Sequence, residues 1–199
     1  ESKILREKIS NKSKKIYKLN KKLKENKNIK FNYYVEKYVA KTKAIDLNKI
    51  LNNSLFKNEI YSGRASKIRN YTVNINTNIV TIYLNKSSSG KYEVLKFEEN
   101  NRYKRQYLKY YLENLTDEQL TEIDDKYSGN ILKKTLQIEI PDYDKEHVVK
   151  KVVQEWEKLQ QEIKNLEDEI DKIDRDIDKM VYNLYDLTDE EIQIIESRF

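Results

Sequence analysis

The stretch VKKVVQEWEKLQQEIKNLEDEIDKIDRDIDKMVYNLYDL, residues 149–187, is the most regular part of this 199-residue chain. Apolar side chains recur in it at alternating spacings of three and four residues, at Val149, Val152, Trp156, Leu159, Ile163, Leu166, Ile170, Ile173, Ile177, Met180, Leu184 and Leu187. A mean spacing of about 3.5 residues keeps one apolar seam facing a partner helix, as in a coiled coil. The pattern therefore predicts one long helix of roughly 55 Å, at about 1.5 Å per residue.

A shorter seam of the same spacing opens the chain, at Leu5, Ile9, Lys12, Ile16, Leu19, Leu23 and Asn26. Polar residues at single seam positions, here Lys12 and Asn26, are typical of coiled coils that fix their register at some cost in stability. Residues 1–30 hold 12 Lys/Arg against 3 Asp/Glu, whereas residues 150–199 hold 8 against 15. We predict that the basic first helix packs antiparallel on the acidic last helix. Self-association through the unpaired length of the last helix is the alternative.

The middle of the chain combines strand and helix patterns. Apolar residues alternate over 71–84 and return at 92–97, which is typical of strands, and residues 131–140 are predicted as a last strand ended by Pro141. Helices are predicted over 31–58, with irregular spacing, and over 100–114. The expected fold class is α+β, with a small mixed β-sheet domain that includes helices, plus a long antiparallel coiled-coil helical stem. The expected divisions are 1–30 for a stem helix, 31–143 for the mixed domain, and 144–199 for the long helix and a short terminal helix.

Local motifs predict where the elements turn and begin. Asn76-Thr77-Asn78 is typical of a tight turn or a bulge, and residues 85–90, NKSSSG, are typical of a loop. Within residues 71–84 the alternation predicts two opposite faces. One face is predicted to hold Tyr71, Val73, Ile75, Ile79, Thr81 and Tyr83, and the other face is predicted to hold Val80, Ile82 and Leu84. Thr116 with Gln119, and Thr188 with Glu191, predict two capping boxes at helix starts.

Composition excludes several kinds of site. The chain has no Cys, so it has no disulfide, thiolate metal site or Cys nucleophile, and the single His147 has no second His or Cys to join it. No Gly-rich phosphate loop is present, and no apolar run approaches the roughly 20 residues that span a membrane. We therefore expect no catalytic residue, no metal site, no bound cofactor and no membrane partner for this chain, and a cytoplasmic location.

A nuclease site conflicts with the helix pattern. Pro141-Asp142 and Glu162-Ile163-Lys164 are similar to the proline-aspartate and glutamate-x-lysine pieces of metal-dependent nucleases. Such carboxylates converge on a metal from adjacent strands, whereas Ile163 is a seam position of the long helix. Along a helix Glu162 would lie about 30 Å from Asp142, at about 1.5 Å per residue, so we interpret the match as chance.

Basic residues cluster in loops and at a helix start. Arg and Lys beside small polar residues favour contact with phosphates and base edges, and in a chain that is 37% charged they are also typical of an ordinary surface. The candidates for DNA contact are Arg64, Ser66, Lys67, Arg69, Lys86, Ser87, Ser88, Lys91, Arg102, Lys104 and Arg105. Base contacts are predicted from Arg64, Ser66 and residues 85–91, and phosphate contacts from the basic side chains.

The order of these parts resembles a known family. The stretch IVTIYLNKSSSGKYEVLKFEENNRYKRQYLKYYLENLTDEQL (79–120), then NILKKTLQIEIPDY (130–143), then a heptad helix ending in EIDKIDRDIDKMVYNLYDLTDEEIQIIE (169–196) is similar to one region of bacterial restriction-modification proteins. That region is the C-terminal part of type IIG enzymes and related adenine-specific DNA methyltransferases. The most specific part is an Ile-Asp run followed by Val-Tyr-x-Leu-Tyr-x-Leu-Thr-x-Glu-Glu-Ile, here residues 177–192. The resemblance covers roughly residues 60–199, and the strand end before the long helix is also similar to type I specificity subunits.

The resemblance implies a role in DNA recognition. In that family this region is the target-recognition part, in which a small mixed domain reads the DNA site and a helical stem positions it against a methyltransferase core. The Asn-Pro-Pro-Tyr signature of adenine methyltransferases and the Gly-rich S-adenosylmethionine motif are absent from this chain. The resemblance therefore implies a chain that is not itself an enzyme, with residues 31–143 as the target-recognition domain. It implies double-stranded DNA and the methyltransferase domain of the same parent protein as partners, and S-adenosylmethionine as the parent's cofactor. Whether that parent also cleaves DNA stays open.

A second interpretation stays open beside the first. The chain would then be a coiled-coil protein–protein interaction or scaffold domain without a nucleic-acid role. That interpretation predicts self-association driven by the last helix and no salt-dependent binding to DNA. A recognition domain predicts duplex binding that weakens as salt rises.

Overall fold

The computed structural model describes residues 2–38, 44–51, 70–86, 90–126 and 131–197, and in them the chain is a mixed helix and strand protein. In chain order its elements are α1 (Ser2–Asn28), α2 (Phe31–Tyr38), β1 (Ala44–Asp46), α3 (Leu47–Ile50), β2 (Tyr71–Asn76), β3 (Ile79–Lys86), β4 (Gly90–Glu98), α4 (Arg102–Glu113), α5 (Asp117–Lys126), α6 (Ile131–Leu136), β5 (Glu139–Pro141), α7 (Glu146–Leu184) and α8 (Asp189–Glu196). The chain divides into two compact units. Unit 1 comprises residues 1–29 and 158–199, and unit 2 comprises residues 30–157. The predicted long helix is confirmed, because α7 has 39 residues.

Unit 1 is built on two long helical segments, α1 and the later part of α7. Within α1 the seven side chains at the seam positions are half-buried, and every other side chain is exposed. On the later part of α7, Leu159, Leu166 and Ile173 are each only 6% exposed, and the seam positions between and after them are half-buried. Both helices therefore shield one apolar stripe from water and leave the rest of their surface solvated.

Ion pairs join α1 to α7, one from the seam position Lys12 and three from residues beside the stripe. They are Lys12–Asp176 at 2.8 Å, Lys15–Glu169 at 2.7 Å, Lys22–Glu162 at 2.7 Å and Lys27–Glu167 at 2.6 Å. From Lys12 to Lys22 the α7 partners run backwards along the sequence, so the two helices are antiparallel. The lysine side chains are 28% to 57% exposed, and pairs this accessible to water contribute little to stability.

Unit 2 has a core that includes fully buried side chains. Phe31 is 0% exposed, and its ring centroid lies 5.7 Å from that of Tyr107 and 5.6 Å from those of Tyr110 and Trp156. Leu108 and Leu112 of α4 are also buried, one turn apart on the same helix face. The predicted helix over 100–114 is confirmed by α4.

The main sheet of unit 2 has strand order β2-β3-β4 and a second, two-stranded sheet pairs β1 with β5. The expectation of a mixed sheet is wrong, because every strand pairing in the described residues is antiparallel. The two-residue turn at Thr77 and Asn78, with Thr77 at φ 56°, places Ile75 opposite Val80. The core face therefore joins Tyr71, Val73 and Ile75 to Val80, Ile82 and Leu84, and the phase grouping predicted across the turn is wrong.

Residues 131–140 do not form one strand. Ile131–Leu136 is helix α6, and only Glu139–Pro141 is strand β5. The Thr135 hydroxyl donates to the carbonyl of Ile131 at 2.8 Å, and Ile131, Lys134 and Thr135 are all buried. A short apolar run in a sequence is compatible with either a helix or a strand. Here the segment is helical, and one face of that helix is packed into the core.

Other boundaries also differ from the sequence pattern. Residues 31–58 are not continuously helical, because strand β1 intervenes between α2 and α3, and residues 52–58 lie outside the described part. The loop predicted over 85–90 is shorter, since β3 extends to Lys86 and β4 begins at Gly90.

Both capping boxes are confirmed. The Gln119 side chain accepts from the Thr116 amide at 2.9 Å, and Thr116 Oγ1 accepts from the Gln119 amide at 3.3 Å. At α8, Glu191 accepts from the Thr188 amide and Thr188 accepts from the Glu191 amide. Each box satisfies two backbone donors that a helix start leaves without intrahelical partners.

Candidate nucleic-acid interface

The main sheet of unit 2 has a second face that carries polar side chains. We call it the polar face, and by register and alternation it consists of Thr72, Asn74, Asn76, Ile79, Thr81, Tyr83, Asn85, Lys91, Glu93, Lys96 and Glu98, of which Ile79 alone is apolar. Asn74, Thr81 and Lys96 form one row across the three strands, because Asn74 pairs with Thr81 and Thr81 with Lys96. Thr72, Tyr83 and Glu93 form the next row, and Asn85 with Lys91 a third. Neighbouring strands lie about 4.8 Å apart, so each full row spans about 10 Å.

A β-bulge in β4 creates this distribution. The register moves from Ile82↔Leu95 to Tyr83↔Glu93, which leaves Val94 as the extra residue. Leu95 and Phe97 lie on the core face, whereas Lys91 and Glu93 lie on the polar face. Regular alternation would place these four odd-numbered residues on one face. A bulge shifts the alternation by one residue, so a period of two in the sequence does not reveal which residues share this face.

Several hydrogen-bonding groups of the polar face are unused. The side chains of Asn74, Tyr83 and Lys96 have no hydrogen-bond or ion-pair partner among the described residues, and Asn74 and Lys96 are exposed. Asn85 is committed, because its amide donates to Asn70 Oδ1 at 2.6 Å and to Thr72 Oγ1 at 2.9 Å. Amide, hydroxyl and ammonium groups therefore project from the sheet without internal partners.

Helix α4 fixes the edge of this sheet. Glu113 accepts from the backbone amide of Val73 at 2.8 Å, and Lys109 Nζ donates to the Val73 carbonyl at 2.8 Å. The two side chains are themselves paired at 2.9 Å. The edge of β2 is therefore partly capped by side chains, which holds the sheet rigidly against α4 and opposes addition of another strand there.

Buried phenols support the sheet and the start of α7 from the core side. Tyr71 shares a hydrogen bond of 2.9 Å with Thr135, Tyr107 donates to the Pro141 carbonyl at 3.0 Å, and Tyr143 donates to Glu99 at 2.5 Å. Burial raises the pKa of the Tyr71, Tyr107 and Tyr143 phenols well above their ordinary value, and for Tyr143 the bond to Glu99 raises the pKa further. These phenols stay neutral near neutral pH and hold the scaffold in place.

The candidates predicted from the sequence fall into three groups. Arg64, Ser66, Lys67, Arg69, Ser87 and Ser88 lie outside the described residues. Lys86 ends β3 in register with Gly90, and Lys91 is exposed on the polar face without an ion-pair partner in the described part of the chain. Arg102, Lys104 and Arg105 lie on the first turn of α4.

The group on α4 is engaged within the protein. Arg102 forms an ion pair with Glu157, with its Nη2 at 3.0 and 3.1 Å from the two carboxylate oxygens. Arg105 donates to the carbonyls of Glu99 and Asn100 at 2.6 and 2.9 Å, and Lys104 Nζ lies 5.0 Å from the ring centroid of Tyr143. These contacts anchor the start of α4 beside the end of β4.

The basic candidates whose side chains the structure describes, Lys91 and the group on α4, do not form one cluster. Lys91 lies near the start of β4 and the α4 group follows its end at Glu98. Seven residues of strand separate Lys91 from Glu98, which is about 23 Å at about 3.3 Å per residue. The polar face lies between them. Charge and loop position, the criteria applied to the sequence, do not single out its residues Asn74, Thr81, Tyr83 and Lys96.

Within the described ranges no group of three or more His, Cys, Asp or Glu side chains is placed to hold a metal ion, and no helix has the length and apolar content to cross a bilayer. Asp142, one half of the nuclease-like match, is buried and paired with Lys145 at 2.8 Å, and Glu162, the other half, is paired with Lys22. No protein-family model, curated protein or solved structure matches the chain. The resemblance to restriction-modification enzymes therefore stays a prediction.

Proposed function

We propose that the chain is a DNA target-recognition fragment of a larger bacterial restriction-modification protein. That parent protein is an adenine-specific DNA methyltransferase. Unit 2 binds duplex DNA in a sequence-dependent way and positions it for the methyltransferase domain of the parent protein. The observation that carries the proposal is the polar face, where unused amide, hydroxyl and ammonium groups stand on a sheet fixed from its other side. Rigid elements that present free donors and acceptors are what direct readout of bases requires.

The side-chain types of the polar face match the chemistry of base edges. An Asn amide such as that of Asn74 can bond both N6 and N7 of adenine, and a Lys such as Lys96 can donate to O6 and N7 of guanine. Thr81 stands between Asn74 and Lys96 in the same row but is only 8% exposed, so Asn74 and Lys96 are the side chains of this row that are open to base edges. One row therefore combines contacts to different bases.

Two neighbouring strands of this sheet form a unit of the size that a DNA major groove admits. A groove roughly 12 Å wide accommodates a two-stranded β-ribbon, so β2 with β3, or β3 with β4, can present side chains to base edges there. The phosphate contacts then come from basic groups beyond the face. Lys91 is exposed at one end, and we retain the basic residues 64–69 and Lys86 as further candidates. Lys104 is the candidate on α4, since Arg102 and Arg105 already bind groups of this chain.

Unit 1 has a separate role in this proposal. Its two antiparallel helical segments serve as a coiled-coil stem that connects the recognition unit to the rest of the parent protein. S-adenosylmethionine belongs to the parent's methyltransferase domain, and the proposal assigns this chain binding and positioning without chemistry. The closing phrase at residues 177–192, which carries the resemblance, belongs to the stem.

The test is selection of bound duplexes from a random library, followed by affinity measurements on the selected site. Asn74→Ala and Lys96→Ala are each expected to weaken binding to that site by about 5- to 150-fold, the range for loss of one base-specific contact. Matched controls are Asn48→Ala and Lys30→Ala, exposed residues of unit 2 away from the sheet, which should change affinity less than about twofold. If selection recovers no preferred sequence from the wild-type chain, the proposal is wrong.

A second candidate function is protein–protein interaction through unit 1. Ile4, Tyr185 and Ile194 are 59%, 71% and 54% exposed, and in the antiparallel pair Ile4 and Tyr185 belong to the same end. Exposed apolar side chains grouped at one end favour a protein partner or a second copy. Sedimentation over a range of concentrations tests this function. Self-association that Ile4→Ser and Ile194→Ser abolish would favour it, and a monomer at every concentration would exclude the second copy.

A further inference from the structure

The outer face of α1, opposite its apolar seam, carries six cations. At about 100° per residue, Lys3, Arg6, Lys14, Lys18, Lys21 and Lys24 lie on the side of the helix away from the half-buried positions, and all six are exposed. We call these six residues the α1 basic face. From Lys3 to Lys24 it extends for about 32 Å, at about 1.5 Å per residue.

All lysines of α1 except Lys8 belong to one of two sets on different sides of the helix. Lys12, Lys15, Lys22 and Lys27 pair with carboxylates of α7. The residues of the α1 basic face have no hydrogen-bond or ion-pair partner in the part of the chain that the structure describes. Packing of α1 on α7 therefore explains the first set and leaves the second without a function in the fold.

The charge of the α1 basic face is not balanced on its own side. Both acidic residues of α1, Glu7 and Glu25, project near it, against its six cations. The outer surface of α7 in unit 1 differs, because there Lys164, Lys172, Arg175 and Lys179 alternate with Asp168, Asp171 and Asp178. A surface with nearly balanced charge is typical of solvated helices, whereas a face on which cations outnumber acids three to one attracts a partner of the opposite sign.

The middle of this face has the features of a phosphate-binding surface. Tyr17 is 74% exposed. Lys14 lies three residues before it and Lys21 four residues after it, about one helical turn away on either side. Ser10 and Ser13 line the same shallow depression as Tyr17, and the Ser10 hydroxyl has no partner within the described chain. Lysine, serine and tyrosine are among the side chains that contact DNA phosphates and sugars.

Other partners fit this face less well. Insertion into an anionic bilayer needs an apolar helix face beside the basic one, and the apolar seam of α1 is turned toward α7. A second copy of this chain offers the outer surface of α7, where four cations stand against three acids, so that surface is not complementary to a basic face. A regular polyanion with a phosphate about every 3.4 Å along each strand matches a basic face about 32 Å long.

We propose that the α1 basic face binds the sugar-phosphate backbone of duplex DNA without regard to sequence. This contact rests on the proposed function in that the ligand is DNA, but it lies in unit 1 and is separate from base readout by unit 2. Its role is to add affinity through release of condensed counterions.

The test compares two triple variants with the same change in charge. The first is Lys14→Gln, Lys18→Gln and Lys21→Gln on the α1 basic face, and the control is Lys164→Gln, Lys172→Gln and Lys179→Gln on the outer surface of α7. All six positions are exposed, so both variants should keep the wild-type circular dichroism. Affinity for a random-sequence duplex is measured as a function of salt.

The expected result is specific to the first variant. Its slope of log affinity against log salt should fall by up to about 2.7, at about 0.9 per lost phosphate contact, with at least about tenfold weaker binding near 0.1 M salt. The control should change the slope by less than about 0.9, one contact. Equal effects of both variants, or none from the first, would overturn the proposal. Binding of the wild-type chain to phosphatidylserine vesicles but not to duplexes would also overturn it.

The two proposals fail in different ways. In one outcome the wild-type chain selects no preferred sequence, but its binding to random duplexes still depends on the α1 basic face. This outcome contradicts target recognition and supports backbone binding. In the other outcome the wild-type chain selects a preferred sequence, and the first triple variant has the same slope of log affinity against log salt as the wild type. This outcome contradicts backbone binding and leaves target recognition intact.

Discussion

Units 1 and 2 are stabilised by different interactions although both use α7. In unit 1 the most buried side chains are still 6% exposed, and the helices are joined by ion pairs open to water. In unit 2, Phe31, Val73 and Tyr107 are 0% exposed, and phenols are hydrogen-bonded inside the core. Burial of apolar area stabilises far more than exposed ion pairs do, so we expect unit 2 to resist salt and moderate acid, and unit 1 to respond to both.

The largest expected effect is unfolding of unit 2 by alkali. Burial raises the pKa of Tyr71, Tyr107 and Tyr143 far above the ordinary value of 10.0 and that of Tyr111 to about 12. A raised phenol pKa stabilises the fold below the pKa of the unfolded chain, and this contribution is lost as pH rises above it. Each such phenol costs about 1.4 kcal/mol of stability per pH unit above about 10, so the group should unfold unit 2 near pH 12.

The single Trp156, in the core of unit 2, reports this transition by its fluorescence. Phenolate absorbance should rise in the same pH interval. Tyr107→Phe should lower the number of protons released in the transition by one. If the buried phenols ionise near pH 10 while Trp156 fluorescence stays native, the difference assigned to unit 2 is wrong.

The second prediction compares core truncations in the two units. Phe31→Ala should lower the free energy of unfolding by about 3–5 kcal/mol, because it leaves a cavity among Tyr107, Tyr110 and Trp156. Leu166→Ala in unit 1 should cost about 2 kcal/mol, since a side chain near the surface leaves a smaller void. Urea unfolding followed by circular dichroism and Trp156 fluorescence gives both values. A larger loss from Leu166→Ala would reverse the ranking of the units.

The third prediction concerns a polar residue in the α1 seam. Asn26 is half-buried at a position where the neighbouring seam residues are apolar, so Asn26→Leu should stabilise unit 1 by about 1 kcal/mol. The matched control is Asn20→Leu, which places the same side chain at an exposed position of α1. Thermal unfolding followed by circular dichroism measures both. Equal shifts in the two variants would mean that the seam is not the stabilising contact.

The smallest expected effect is the acid sensitivity of the ion pairs. Hydrogen bonding and charge from Lys22 lower the pKa of Glu162, and Lys12 does the same for the pKa of Asp176. A lowered carboxyl pKa stabilises the fold above the unfolded pKa, and this contribution is lost as pH falls through the folded value. The melting temperature of unit 1 should therefore fall slightly below about pH 4, and less so at high salt.

A paired substitution isolates that effect. Lys12→Gln with Lys22→Gln should remove part of the acid dependence, whereas Lys18→Gln with Lys21→Gln, at unpaired positions, should leave it unchanged. Melting temperatures are compared for both variants above and below the carboxyl pKa. An unchanged acid dependence in the first variant would show that these pairs are too weakly coupled to matter.

The sequence predicts the helices and their caps well because these depend on neighbours in the chain. The seam spacing locates α7 and the half-buried stripe of α1, and the Thr-x-x-Gln and Thr-x-x-Glu motifs locate two helix starts. Each of these signals concerns contacts within a few residues or a face repeated every turn. The candidate DNA contacts are only partly placed, since Arg64, Ser66, Lys67 and Arg69 lie outside the described residues.

The sequence by itself determined two amphipathic helices with complementary charge, and the alternation that produces β2 and β3. Only the tertiary structure decided that residues 131–136 are helical, that Val94 bulges and reverses the alternation of β4, and that Arg102 and Arg105 bind groups of the same chain. The physical reason is range. A helix face or a cap is set by residues one turn away, whereas the register of a strand and the partner of an arginine depend on residues far along the chain.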